Sequence, residues 1–143
     1  MNDDDPRGFL SELVAAVNAH DLEALAACFA DGYENQTPAH PARGFRGRDQ
    51  VRRNWSTIFG AVPDLTARVG AQAVDGNTVW SEWEMDGTRR DGTPHHMRGV
   101  IVFEVTGRQA TTARFYLEPR DDGMADVNVA VADGVGLPQP AAP

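Results

Sequence analysis

Ala113-Arg114-Phe115-Tyr116-Leu117-Glu118 alternates apolar and polar side chains without a break. In an extended strand Ala113, Phe115 and Leu117 share one face and Arg114, Tyr116 and Glu118 the other. A cation, a phenol and a carboxylate in a row at period two form either a solvated sheet face or the wall of a polar-tipped pocket. Upstream, Asp64 to Val74, Thr78 to Met85 and Met97 to Val105 are also strand-like. Asp75-Gly76-Asn77, a Gly/Pro-rich loop and Thr106-Gly107 separate these segments. With Gln109 to Glu118 they predict a four-strand meander.

Before the meander the period changes. From Arg7 to Ala19, Phe9, Leu10, Leu13, Val14 and Val17 recur at spacings of three and four, which predicts an amphipathic helix. Asp21 is placed to cap a second helix over Leu22 to Ala30, which Asp31-Gly32 ends. Tyr33 to Thr37 reads as a short strand, and Pro38, Pro41, Gly44 and Gly47 mark a loop. A third helix runs from Arg48 or Asp49 to about Phe59, with Arg48, Arg52 and Arg53 on its polar side as a solvated or ion-paired face. Helices first and a meander afterwards indicate an α+β fold, a curved and mostly antiparallel sheet packed by helices on one side. The expected organisation is a single domain over 1–120 and a partly disordered extension over 121–143. Within the extension, Met124 to Ala132 is a short strand or helix, and Gly134 to Pro143 is loose.

The 143 residues carry a net charge of -8, which repels phosphate backbones and anionic lipid heads and so argues against nucleic-acid and membrane partners. No apolar run approaches the roughly 20 residues of a membrane span, and Met1 to Asp5 is acidic where a secretory leader is basic; a cytoplasmic protein is expected. Cys28 is the only cysteine, which excludes an internal disulfide and a Cys-rich metal site. It reads as a small buried hydrophobe. His95-His96 has no partner at ligand spacing, so no metal is expected; the pair reads as turn-flanking and solvent-facing.

Several of these stretches resemble the SnoaL-like, polyketide-cyclase-type branch of the nuclear transport factor 2-like superfamily. They are Asn18-Ala19-His20-Asp21-Leu22-Glu23-Ala24-Leu25, Phe29-Ala30-Asp31 with Pro38, Gly44 to Val51, and Ala113 to Pro119. The resemblance spans about Phe9 to Pro119. It implies a cone-shaped sheet whose concave face, lidded by the helices, encloses a mostly apolar cavity, and a homodimer through the outer sheet face. It is weak for reaction, because this fold hosts isomerases, cyclases, hydrolases and non-catalytic binders.

Family chemistry carries over one position at a time. The tyrosine and two aspartates of ketosteroid isomerases fall on Leu13, on Thr37 before Pro38, and on or near Ile101, none of which can do that work. The acids of limonene-type epoxide hydrolases are missing around Gly99, Ile101 and Phe103. The late-strand carboxylate of the cyclases has its nearest match in Glu118, a glutamate in place of their aspartate.

With that alignment the polar face of the last strand turns inward, and Glu118, Tyr116 and Arg114 are the expected catalytic set. Glu118 would transfer the proton, and Tyr116 and Arg114 would support an oxyanion. Tyr33, Asn35, Thr37, Trp55, Ser81, Trp83, Met85, Met97, Ile101 and Phe103 are the expected substrate-binding residues. The expected function is a cofactor-free cyclase or isomerase acting on a hydrophobic, carbonyl-bearing small molecule of secondary metabolism. The alternatives are a non-catalytic small-molecule binder or scaffold, and a hydrolase using a cavity-bound water and two cavity acids.

Overall fold

A computed structural model describes residues 5–139. Helix α1, Pro6–Ala19, starts where Asp5 accepts a hydrogen bond from the Arg7 backbone N–H, and it buries Phe9, Leu10, Leu13, Ala16 and Val17. Helix α2, Leu22–Ala27, is capped by Asp21. It stops short of Ala30 because Phe29 is already in strand β1, Phe29–Gln36, where it pairs with Ala110. A single 3-10 turn over Pro41–Arg43 and the two-residue strand β2, Phe45–Arg46, lead into α3, Arg48–Ala61. Then come β3, Thr66–Asp75, β4, Thr78–Thr88, β5, Pro94–Thr106, and β6, Gln109–Pro119. Met124 to Ala132 contributes a helix, α4, Val127–Gly134, with no buried residue. The chain past it carries no regular structure to 139, and the end of the tail expected to be loose, 140–143, lies outside the described residues.

The six strands form one sheet in the order β2-β1-β6-β5-β4-β3. β3 to β6 make the expected antiparallel meander, and β1 joins it as the parallel neighbour of β6. The register slips between Val69 and Gln72 and again between Glu104 and Val105, and such irregularities bend and twist a sheet. The helices pack on one side of it, α1 across β3 and β4 and α3 across β1. Phe9 meets Phe103 edge-on with ring centroids 5.0 Å apart, and Trp83 packs on the same Phe103. No helix among the described residues is long and apolar enough to cross a membrane.

The Asn18 to Leu25 motif is structural. His20 ends α1 in the left-handed conformation, φ 52°, and its Nε2 lies 2.8 Å from the Leu65 carbonyl while its ring stacks on Phe59. Asn18 Nδ2 donates to the Ala67 carbonyl at 3.0 Å, and its Oδ1 accepts from the Ala67 N–H at 2.7 Å. The turn between α1 and α2 is thereby fastened to the start of β3. Asn18→Ala removes both bonds and leaves a strand N–H and C=O unpaired, so we expect a loss of about 2 kcal/mol of stability in urea denaturation.

Cys28 is buried as expected. Burial, with a smaller effect of the Glu12 carboxylate, pushes its thiol up to about 11, so it stays protonated and unreactive at neutral pH. Arg48 and Arg52 are the ion-paired face expected on α3, to Asp31 and to Glu23 and Asp49.

Candidate functional site

The concave side of the sheet and α3 enclose a cavity of about 310 Å³. Its wall is built by simple alternation. β5 contributes His95 and Met97, and β4 contributes Met85, which pairs directly with Met97. β6 contributes Phe115 and Leu117, β1 contributes Phe29, Tyr33 and Asn35, and α3 contributes Asn54, Trp55 and Ile58 from successive turns. Thr37 and Arg43 stand where the loop after β1 meets the cavity.

Apart from Arg43, the polar groups of the lining fall into three sets. Tyr33 Oη donates to Asn35 Oδ1 at 2.7 Å, and Asn35 Nδ2 donates to Thr37 Oγ1 at 3.4 Å, so the inner face of β1 carries a short chain of hydrogen bonds. Burial drives the Tyr33 phenol far above its ordinary range and keeps it neutral. Asn54 Oδ1 accepts from Gln50 Nε2 at 2.8 Å, which turns the Asn54 amide and leaves its N–H donors without a partner among the described residues. His95 is the third set. Its Nδ1 is shut off from solvent without a hydrogen-bond partner, and burial, then the positive charges of Arg89 and His96, lower its pKa below 6.5. A buried polar atom without a partner is uncommon in a folded protein and marks a place where a ligand or water can bind.

These placements correct the expectation for the last strand. Arg114, Tyr116 and Glu118 lie on the outer face. Tyr116 is 42% exposed, Arg114 stacks over the Trp80 ring at 5.8 Å, and Glu118 Oε1 is 2.8 Å from His40 Nε2. The cause is pairing: Phe115 stands opposite Ile101 and Leu117 opposite Gly99, and directly opposed residues share a face. With Ile101 and Phe103 turned inward, Phe115 and Leu117 must be too.

Of the expected binding residues, Tyr33, Asn35, Thr37, Trp55, Met85 and Met97 line the cavity. Ser81, Trp83, Ile101 and Phe103 do not; they are closed into the core. There Ser81 Oγ donates to the Ile101 carbonyl at 2.7 Å and accepts from Trp83 Nε1 at 2.9 Å, so those polar groups are already satisfied.

The expectation that His95-His96 faces solvent is also corrected in half. The two rings point to opposite sides, but His95 faces the cavity, whereas His96 Nδ1 lies 2.6 Å from Asp86 Oδ1. Alternation back from Met97 was the signal that could have found it. Asn54 could have been found as the residue beside Trp55 on α3; Arg43 had no sequence signal beyond a loop position. None of the cavity-lining residues is a carboxylate, and among the described residues no group of three His, Cys, Asp or Glu side chains forms a metal-binding set.

Three solved structures illustrate the likeness of the fold. A Mycobacterium tuberculosis protein in complex with estradiol-17beta-hemisuccinate is 20% identical, with TM-score 0.67, over 78% of this chain and 92% of its own. An LEH-like epoxide hydrolase from the same organism is 17% identical, with TM-score 0.68, over 80% of this chain and 83% of its own. A candidate SnoaL-like polyketide cyclase from a Jannaschia species is 16% identical, with TM-score 0.65, over 77% of this chain and 83% of its own. At such identities they speak for the fold alone. No curated protein matches the sequence. The family model for the SnoaL-like domain matches residues 10–113, from the first buried leucine of α1 into β6, and the chain therefore belongs to the SnoaL-like domain family.

Proposed function

We propose that the cavity is the active site of an isomerase or cyclase that moves protons on a hydrophobic, carbonyl-bearing small molecule, with His95 as the acid/base group. The observation that supports this most is that His95, the one imidazole lining the cavity among the described residues, has an Nδ1 without a hydrogen-bond partner. A neutral imidazole there can take a proton from a carbon next to a carbonyl. The C–H electron pair forms the C=C bond of an enolate as the carbonyl π pair moves onto oxygen, and the amide N–H groups of Asn54 and Asn35 are the donors available to that oxygen. Returning the proton to another carbon completes an isomerisation; attack of the enolate carbon on a second carbonyl closes a ring, and the alkoxide that forms takes the proton back from His95. The chemistry needs only proton transfer, and an apolar wall raises the worth of each hydrogen bond inside it.

The likeness in fold to a protein that holds estradiol-17beta-hemisuccinate and to a candidate polyketide cyclase is consistent with an apolar ligand of this kind. The test is hydrogen exchange at carbon: the protein is incubated with a panel of cyclic ketones and β-diketones in D2O and deuterium uptake is followed by mass spectrometry. Uptake by the wild type that is lost in His95→Gln supports the reading, and uptake indifferent to His95 sinks it.

The cavity's lack of a carboxylate favours a second reading, a non-catalytic binder, in which a ligand is held tightly and recovered unchanged. The hydrolytic alternative needs two cavity acids, which the lining does not contain. We also propose a homodimer through the outer sheet face, where Trp80 is 48% exposed and Tyr116 42% exposed. Sedimentation equilibrium should give twice the 15.5 kDa chain mass, and Trp80→Glu should return the monomer. A monomeric wild type would remove this part of the reading.

A further inference from the structure

The cavity mouth has a charge opposite to that of the chain. The sequence carries a net charge of -8, yet the lining holds no carboxylate and one guanidinium, that of Arg43. The neighbouring arginines are committed: Arg46 to Glu34, Arg48 to Asp31 and Arg52 to Glu23. Arg43 forms no ion pair among the described residues. A second cation, Arg89, is near enough to His95 to oppose its protonation.

The segment that carries Arg43 is also held in place. Within it, the His40 N–H donates to the Thr37 carbonyl at 2.8 Å, the Arg43 N–H to the His40 carbonyl at 2.9 Å, and the Gly44 N–H to the Pro41 carbonyl at 3.2 Å. On the outer face of the sheet, the contact of His40 Nε2 with Glu118 Oε1 at 2.8 Å fastens this loop to β6. A braced loop presents its arginine with less of its freedom left to lose on binding.

We propose that the site selects amphiphiles with a single anionic group, the apolar body lying in the cavity between Trp55 and Leu117 and a carboxylate held by Arg43 at the mouth. This rests on the cavity being the ligand site and names the class of ligand it takes. A guanidinium offers paired N–H donors matched to a carboxylate, and no acidic side chain of the lining repels that group. Glu118, expected from the sequence to transfer a proton, acts in this arrangement as a positioning residue through His40.

The test is a pair of near-isosteric probes, 2-naphthoate and the uncharged 2-naphthamide, titrated by calorimetry into the wild type, Arg43→Gln, Arg43→Lys and the cavity-filling Leu117→Trp, each checked for folding by circular dichroism. The wild type should prefer naphthoate by about tenfold or more at low salt, the worth of a charge-assisted hydrogen bond at a partly exposed site. The preference should shrink with added salt, vanish in Arg43→Gln, and persist in part in Arg43→Lys. Equal affinity for the two probes in the wild type, or an undiminished preference in Arg43→Gln, overturns the anionic-ligand assignment and leaves the cavity reading standing. If neither probe binds the wild type at millimolar concentration, or if folded Leu117→Trp binds naphthamide as before, the cavity reading fails and this assignment with it.

Discussion

His95→Gln is expected to lower turnover of a carbonyl substrate by about 10²–10⁴-fold, the usual contribution of one positioned general base. Glutamine keeps most of the shape and hydrogen-bonding capacity of the ring but cannot accept and return a proton at neutral pH, so KM should change far less than kcat. The pH profile gives a second readout. Burial first, then Arg89 and His96, hold the pKa of His95 below 6.5, so the neutral, proton-accepting form prevails at pH 7. The sign follows: wild-type kcat/KM should level off toward alkaline pH and fall on the acid side as the imidazole protonates, at a pH below that of a free histidine, and His95→Gln should lose that limb. Tyr116→Phe serves as the contrast. Its hydroxyl is on the outer face, so turnover should stay within experimental error of wild type. A Tyr116→Phe variant as impaired as His95→Gln would return the catalytic role to the outer strand face.

The largest effect on folding is expected at Gly99. It sits in the middle of β5 opposite Leu117 and Trp83 with φ at +152°, a conformation that side-chain-bearing residues rarely adopt. A Cβ built there would collide with the Tyr116 carbonyl oxygen and lie 2.8 Å from Leu117 Cα, both backbone atoms that cannot swing aside. Close approach of β5 and β6 at this point is one way the sheet achieves its bend without a side chain in between. Gly99→Ala should therefore cost about 3 kcal/mol or more, combining backbone strain with overpacking, and Gly99→Val should leave little folded protein. Gly70→Ala is the control on β3, since nothing lies within 4 Å of its Cβ position. It should change stability by less than about 1 kcal/mol in either direction. Urea denaturation of the two alanine variants side by side checks the contrast, and equal midpoints would show that the β5–β6 approach is softer than its geometry implies.

Most of the architecture was readable along the chain. The 3.6-residue period of Phe9 to Val17, the capping residue Asp21, and the glycine turns at Gly76 and Gly107 are local signals, and each marks an element that is present. The end of α2 was misjudged because Phe29 and Ala30 suit a helix as well as a strand, and only the approach of β6 to β1 decides between them. Half of the inner wall was also readable: Tyr33 and Asn35 on β1 with Thr37 just past its end, and Met85 and Met97 on their strands, face the cavity by plain alternation.

The opening hexapeptide shows where such reading stops. Its division into Ala113, Phe115 and Leu117 against Arg114, Tyr116 and Glu118 is a local property, dictated by the period of an extended backbone. Which set looks inward is not. It depends on Phe115 standing opposite Ile101 in a strand more than ten residues away, and a shift of one residue would reverse it. The likeness to cyclases placed the polar set inside; pairing placed it outside and delivered in its stead His95 from β5, Asn54 from α3 and Arg43 from a loop. Those three have no common signature in the chain, because what unites them is a curved sheet closing on a helix. Local periodicity thus determines the elements and their two-sidedness, while strand register and sheet curvature decide which side becomes a site.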